Sequence, residues 1–142
     1  MAATDSIKKF TLLALLLGGC YKNHLYVQQE WVTPRFLASS HVKAPDPRQE
    51  DFIPGQRLLV GWDFPKSIFC QDLLLIVTVR LWDQTERVFT HPILYRRDAV
   101  AFTLPGPEKE KRILTYRAEV INRDDELVDL WEHQFWVEQI EI

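Results

Sequence analysis

Cysteine and glycine are both scarce. Cys20 and Cys70 are the only two cysteines, and five glycines serve 142 residues. Two thiols cannot staple a disulfide-rich scaffold. So few glycines leave no glycine-rich phosphate loop, and no GxSxG elbow is present. The four histidines, His24, His41, His91 and His133, form neither an HxH pair nor an HExxH helix. His133 adjoins Glu132, but neighbours on a strand point to opposite faces, so the two cannot share an ion. No metal and no cofactor is expected. Positive charge is not in excess either. The formal net charge is −3, without the basic stripe of a nucleic-acid binder. After Pro34 no stretch of ten residues keeps a helical period of 3.6. An enzyme therefore has no supporting constellation of residues.

One apolar run does stand out. Phe10 to Leu17 is apolar except for Thr11, follows Lys8 and Lys9, and leads at once into Leu17-Gly18-Gly19-Cys20. As a helix its eight residues would rise only about 12 Å, whereas about 20 apolar residues are needed to cross a bilayer. Its length suits the core of a signal peptide; an ordinary secretory signal without lipid and a buried helix are the competing readings. The sequence Leu17-Gly18-Gly19-Cys20 resembles the bacterial lipobox. That resemblance implies a diacylglyceryl group on the Cys20 thiol, cleavage between Gly19 and Cys20, and acylation of the new amino terminus, palmitate being a typical chain. Small residues before the cysteine let the backbone lie in a narrow peptidase cleft, and a thiolate is nucleophilic enough to take the lipid. Position 21 is tyrosine. In enteric lipoproteins an aspartate there retains the protein in the inner membrane, so the resemblance favours the periplasmic face of the outer membrane. Lys8, Lys9 and Asp5 leave with the signal peptide, and residues 20–142 then carry −4.

Three segments follow: a signal peptide (1–19), a lipid-anchored tether (20–34) and a single domain (35–142). The tether mixes polar residues with Leu25, Tyr26, Val27, Trp31 and Val32, and a first strand or a helical turn fits around Leu25 to Thr33. From Arg35 the pattern is one of short strands. Arg35 to Val42 is expected as a strand that Pro45 and Pro47 end. In Arg57 to Asp63, Leu58, Val60 and Trp62 alternate onto one face. In Asp72 to Asp83 the inward row is Leu73, Leu75, Val77, Val79 and Leu81, and the early half is apolar on both faces, as in a central strand. Glu86 to Leu94 carries Pro92, which places its end at a sheet edge or bulge. Ala99 to Leu104 turns Val100, Phe102 and Leu104 inward. Arg112 to Asn122 buries Leu114, Tyr116, Ala118 and Val120. Leu127 to Ile142 is expected as a long closing strand with a bulge near Glu132 to Gln134.

Strands of this length, with turns every 8–15 residues, point to an all-β fold, an antiparallel two-sheet sandwich. The run Leu58 to Pro65, aliphatic residues leading to a tryptophan and then a proline, resembles the second strand of fibronectin type III and related immunoglobulin-like domains. Tyr116, Ala118, Val120 and Asn122 resemble the penultimate strand of the same family. The resemblance implies an immunoglobulin-like sandwich that works by presenting loops or an edge strand.

With Cys20 lipidated, Cys70 has no partner in the chain and is expected to be buried and inert; an intermolecular disulfide or a reactive thiol is the alternative. Asp124, Asp125 and Glu126 lack the ligand spacing of a calcium loop and read as a solvated turn. Arg96, Arg97 and Asp98 form a charged corner, read as a plain surface turn, with anionic lipid or a carboxylate as the other partner considered. Trp82 and Trp136 fall on rows that face outward or are ambiguous; filling the second face under the tether is the favoured reading, and as exposed rings they are the candidate contacts for a ligand or partner. The expected function is a non-enzymatic interaction or structural module, held at the cell envelope by lipid and serving a protein partner. A glycan-binding module using Trp82 or Trp136 is the alternative.

Overall fold

The computed structural model describes residues 23–50, 52–106 and 111–137. The expected signal peptide (1–19) and Cys20 lie outside them. Seven strands are present among the described residues: β1 (Leu25–Val32), β2 (Gly55–Asp63), β3 (Leu74–Leu81), β4 (Glu86–Pro92), β5 (Arg97–Pro105), β6 (Ile113–Ile121) and β7 (Leu127–Glu132). They form two antiparallel sheets, a three-stranded one in the order β1-β2-β5 and a four-stranded one in the order β4-β3-β6-β7. The protein is an all-β, two-sheet antiparallel sandwich. Sequence neighbours pair within a sheet at β1–β2, β3–β4 and β6–β7, and the chain changes sheet between these pairs.

The core lies between the facing rows. Leu58, Val60 and Trp62 of β2 oppose Leu75, Val77 and Val79 of β3 and Ala118 and Val120 of β6, all essentially inaccessible to solvent. These are the alternate positions expected of each strand, because side chains on a strand point to opposite faces with period two. Phe64 is fully buried beyond the end of β2. Trp62 donates its indole N–H to the Tyr95 carbonyl at 2.9 Å, so the largest core side chain leaves no polar atom unsatisfied. Pro92 ends β4, and β4 is an edge strand, where a missing donor interrupts no ladder.

Four sequence expectations change. The first strand of the sandwich is β1, inside the stretch expected as a tether; it pairs with β2 along its whole length, Leu25 opposite Trp62 and Val32 opposite Gly55. Arg35 to Val42 is not a strand. Pro34 starts a 3-10 turn (Pro34–Phe36), and a short helix α1 (Ala38–Val42) follows, capped by Lys43 in the left-handed region at φ 53°. The Ser40 hydroxyl donates to the Leu37 carbonyl at 2.7 Å, an internal bond that competes with strand pairing. Asp46 then accepts from Ser39 Oγ and from the Arg48 backbone and guanidinium, which hold its carboxyl well below the usual carboxylate range.

The third change is a bulge in β6. Arg80 faces Thr115, but Leu81 faces Ile113, so Leu114 is the extra residue and Ile113 replaces it in the core. The fourth concerns β7, which ends at Glu132 rather than continuing as a long strand. Its bulge lies earlier than expected, at Val128, because Val120 faces Asp129 while Ile121 faces Leu127. That slip lets both Val128 and Trp131 pack on the core. Residues 138–142 lie outside the described residues.

Candidate functional site

The antiparallel arrangement gives the sandwich two distinct ends. At one, the chain leading from Cys20 enters β1 at Leu25, beside the β2–β3, β4–β5 and β6–β7 connections. At the other lie the segment between β1 and β2, the β3–β4 turn, the start of β6 and the residues after β7. We call these the proximal and distal ends.

The distal end gathers aromatic side chains and arginines from segments far apart in sequence. Trp31 continues the inward row of β1 past the rim of the core and remains 52% exposed. The Arg112 guanidinium lies 5.1 Å above its ring centroid. The Arg112 carbonyl accepts from the Trp82 backbone N–H at 3.0 Å, which ties the Trp82 segment to the same place. Trp82 is 59% exposed, as its outward row implies. Phe36, 50% exposed, lies under the Arg57 guanidinium at 4.7 Å, and Arg57 is also paired with Glu30 at 2.6 Å. Cation–π contacts of this kind hold an aromatic face in one orientation and contribute about 0.5–1 kcal/mol each where exposed. Gln56, buried beneath, accepts from the Ile113 N–H at 2.7 Å and joins the two sheets below this surface.

Trp136 is placed differently from Trp82. After β7 the chain turns, with the Trp136 N–H bonded to the His133 carbonyl at 2.8 Å, and crosses the outer face of the four-stranded sheet. The Trp136 ring sits under the guanidiniums of Arg80 (4.7 Å) and Arg117 (6.0 Å). Arg80 is itself buried, with two donors on Glu86 Oε1 at 3.0 and 2.7 Å and a third on the Val137 carbonyl at 2.9 Å. The Trp136 indole N–H is buried without an acceptor among the described residues. One of the two candidate tryptophans therefore offers its ring to solvent, and the other covers the sheet.

Cys70 is exposed, in the turn after a short helix α2 (Lys66–Phe69), with Sγ 3.3 Å from the Ser67 carbonyl. The expectation of a shielded thiol is corrected. Leu73 begins the buried row three residues later, and Cys70 precedes the point at which the chain enters the core. The acidic turn is a solvated one. Asn122 Oδ1 accepts from the Asp124 and Glu126 N–H groups, its Nδ2 donates to Glu126 Oε2, and Asp125 takes φ 59°. Among the described residues no group of three or more His, Cys, Asp or Glu side chains converges as a metal site. No helix among them is long and apolar enough to cross a membrane.

Among the depressions on the described surface are three of about 190, 230 and 350 Å³. The largest of these three lies between the Cys70–Asp72 and Asn122–Glu126 turns and is bordered by groups that satisfy one another, including the Arg123–Asp72 pair at 2.6 Å. The second opens between the β4 and β5 edges beside Phe89, whose ring stacks on Phe102 with centroids 5.1 Å apart. The sequence singled out Trp82 but missed Trp31, Phe36 and Arg112. Trp31 and Phe36 fall in and just after the supposed tether, and nothing local in the sequence places them beside residues 82 and 112. Compared with protein-family models, with curated proteins and with solved structures, the chain matches none.

Proposed function

We propose that this chain is a bacterial lipoprotein, held by lipid on Cys20 at the periplasmic face of the outer membrane, whose immunoglobulin-like sandwich is a non-enzymatic module for binding another envelope protein. The observation that carries the reading is the set of exposed rings at the distal end: Trp31 held by Arg112, Phe36 held by Arg57 on the outer face of the three-stranded sheet, and Trp82 on the outward row of the other sheet. Tryptophan and arginine are the side chains most enriched where binding energy concentrates in protein interfaces. Aromatic rings already fixed by a guanidinium lose little freedom on binding. Cleavage before Cys20 would leave few residues ahead of β1, so the anchored end is the proximal one and the distal end faces away from the bilayer. The strand connectivity accords with the immunoglobulin-like resemblance of the β2 and β6 segments. Fold alone does not dictate function, and the argument therefore rests on the surface.

A photo-crosslinking side chain at Phe36 or Trp82, in intact cells, is expected to give one discrete adduct. The same probe at Thr90, on the exposed part of β4, is expected to give none. Equal yields at all three positions, or none at any, would refute the reading. Exposed Trp82 also favours a second reading, stacking on an envelope glycan. In that case peptidoglycan fragments shift the tryptophan fluorescence, and Trp82→Ala abolishes the shift.

A further inference from the structure

We propose that Leu94, Tyr95 and Arg96 of the β4–β5 loop, with Arg97 at the start of β5, form a membrane-contact surface that rests on the headgroup layer of the bilayer holding the anchor; the inference rests on the lipid-anchor reading of Cys20. Leu94 and Tyr95 are adjacent, 68% and 65% exposed, and followed by exposed Arg96 and Arg97. Their exposure is built into the fold. The Ile93 N–H donates to the Leu73 carbonyl at 3.0 Å. The Tyr95 carbonyl accepts from the Trp62 indole at 2.9 Å. The Arg96 carbonyl accepts from the Phe64 N–H at 2.9 Å, and Arg96 Nε donates back to the Phe64 carbonyl at 3.3 Å. With its backbone fixed to the core, the loop holds both large side chains outward.

The position of the loop selects its partner. Asp63 and Phe64 join it to the place where the chain enters the sheet. The Asp63 N–H donates to the His24 carbonyl, and the His24 ring reaches the Asp63 carbonyl at 3.0 Å. Arg97 pairs with the Asp63 carboxylate at 2.5 Å. Cys20 and Leu25 are five residues apart, a covalent reach of at most about 18 Å. The nine-residue strands β2 and β5 make the sandwich about 30 Å long at roughly 3.3 Å per residue. A lipid on Cys20 thus keeps the proximal end close to the bilayer.

Chemistry points the same way. Tyrosine is enriched at the membrane–water boundary, leucine favours the acyl side of it, and arginine pairs with lipid phosphate. The acidic turn Asp124, Asp125 and Glu126 lies at the β6–β7 connection. Strands β4 and β7 are opposite edges of one sheet. Arg96 and Arg97 are balanced by Asp63 and exposed Asp98, whereas the β6–β7 corner is acidic, so an anionic surface repels that corner and leaves the β4–β5 corner the lower one, which gives the anchored domain a tilt and a fixed face for its partner.

The test uses the full membrane-extracted protein in phosphatidylethanolamine–phosphatidylglycerol vesicles. A nitroxide is placed at Tyr95→Cys, or at Arg87→Cys towards the distal end, each with Cys70→Ser, and acylation is read by intact mass on the same sample. Accessibility to a water-soluble nickel chelate is expected to be severalfold lower at 95 than at 87, with accessibility to oxygen higher. In phosphatidylcholine vesicles the difference is expected to shrink. Should Tyr95→Cys fail to fold, a nitroxide at the adjacent exposed Leu94→Cys, again with Cys70→Ser, supplies the same comparison. An acylated protein with equal accessibilities at both ends overturns the surface and leaves the anchor standing. A protein without acyl groups overturns the anchor and the surface with it.

Discussion

Gly55 and Gly61 both lie in β2, and the same added methyl group is expected to act on them in different ways. A Cβ at Gly55 would stand 2.5 Å from the Leu104 carbonyl oxygen and 3.1 Å from Pro105 Cα. Both are backbone atoms of β5, the strand paired with β2 at this point. Neither can retreat without opening the ladder. Gly55→Ala is expected to destabilise by about 2–3 kcal/mol, the upper part of the range for forced overpacking. A Cβ at Gly61 would fall on the ring of Tyr26. That ring is half exposed at the edge of the sheet and can turn into solvent. Reduced freedom of the unfolded chain, about 0.4–1 kcal/mol, offsets the lost contact, so Gly61→Ala is expected to be neutral within about 1 kcal/mol. For a domain of this size each kcal/mol moves Tm by roughly 3–6 °C. Thermal unfolding followed by circular dichroism should then show Gly55→Ala lower by about 6–18 °C and Gly61→Ala within about 6 °C of the parent. Equal shifts, or a larger one at Gly61, would refute the β1-β2-β5 register from which the argument starts.

Trp136→Ala removes the ring beneath Arg80 and Arg117. It is expected to lower stability by about 1–2 kcal/mol and to expose the chain after His133 to limited proteolysis; unchanged cleavage would argue against the tail lying on the sheet. Cys70 should react with a maleimide in the native protein, and Cys70→Ser should leave Tm unchanged, because the thiol is exposed and its one hydrogen bond is weak. Burial raises the Tyr116 phenol above its usual value. The folded state therefore holds that proton more tightly than the unfolded state. Stability from this group is complete below about pH 10 and falls as pH rises beyond it. Tyr116→Phe should flatten the fall seen in urea titrations at alkaline pH.

The interior was legible wherever one strand face is apolar throughout. Leu58, Val60 and Trp62, the five inward residues from Leu73 to Leu81, and Phe102 with Leu104 all lie where alternation puts them. Alternation fails at a bulge, since one extra residue inverts the face of everything beyond it. Leu114 and Val128 are those extra residues, and nothing in their own chemistry distinguishes them from their neighbours. Residues 35–42 misled for another reason. A short apolar run, Phe36 to Ala38, between prolines suggests a strand though it does not alternate, and Pro34, the serine hydroxyls and the Asp46 cluster satisfy the backbone locally. The distal surface was half legible. Trp82 stood out on its row, but Trp31 and Phe36 meet Arg112 and Arg57 only through pairings between distant strands.

The most direct test of the central claim is the intact mass of the protein extracted from membranes, wild type beside Cys20→Ser. The account predicts a wild-type mass equal to residues 20–142 plus a diacylglyceryl group and an acyl chain, and an uncleaved, unlipidated product for Cys20→Ser. A wild-type mass without lipid, or a Cys20→Ser protein that matures and partitions into detergent as the wild type does, would contradict it.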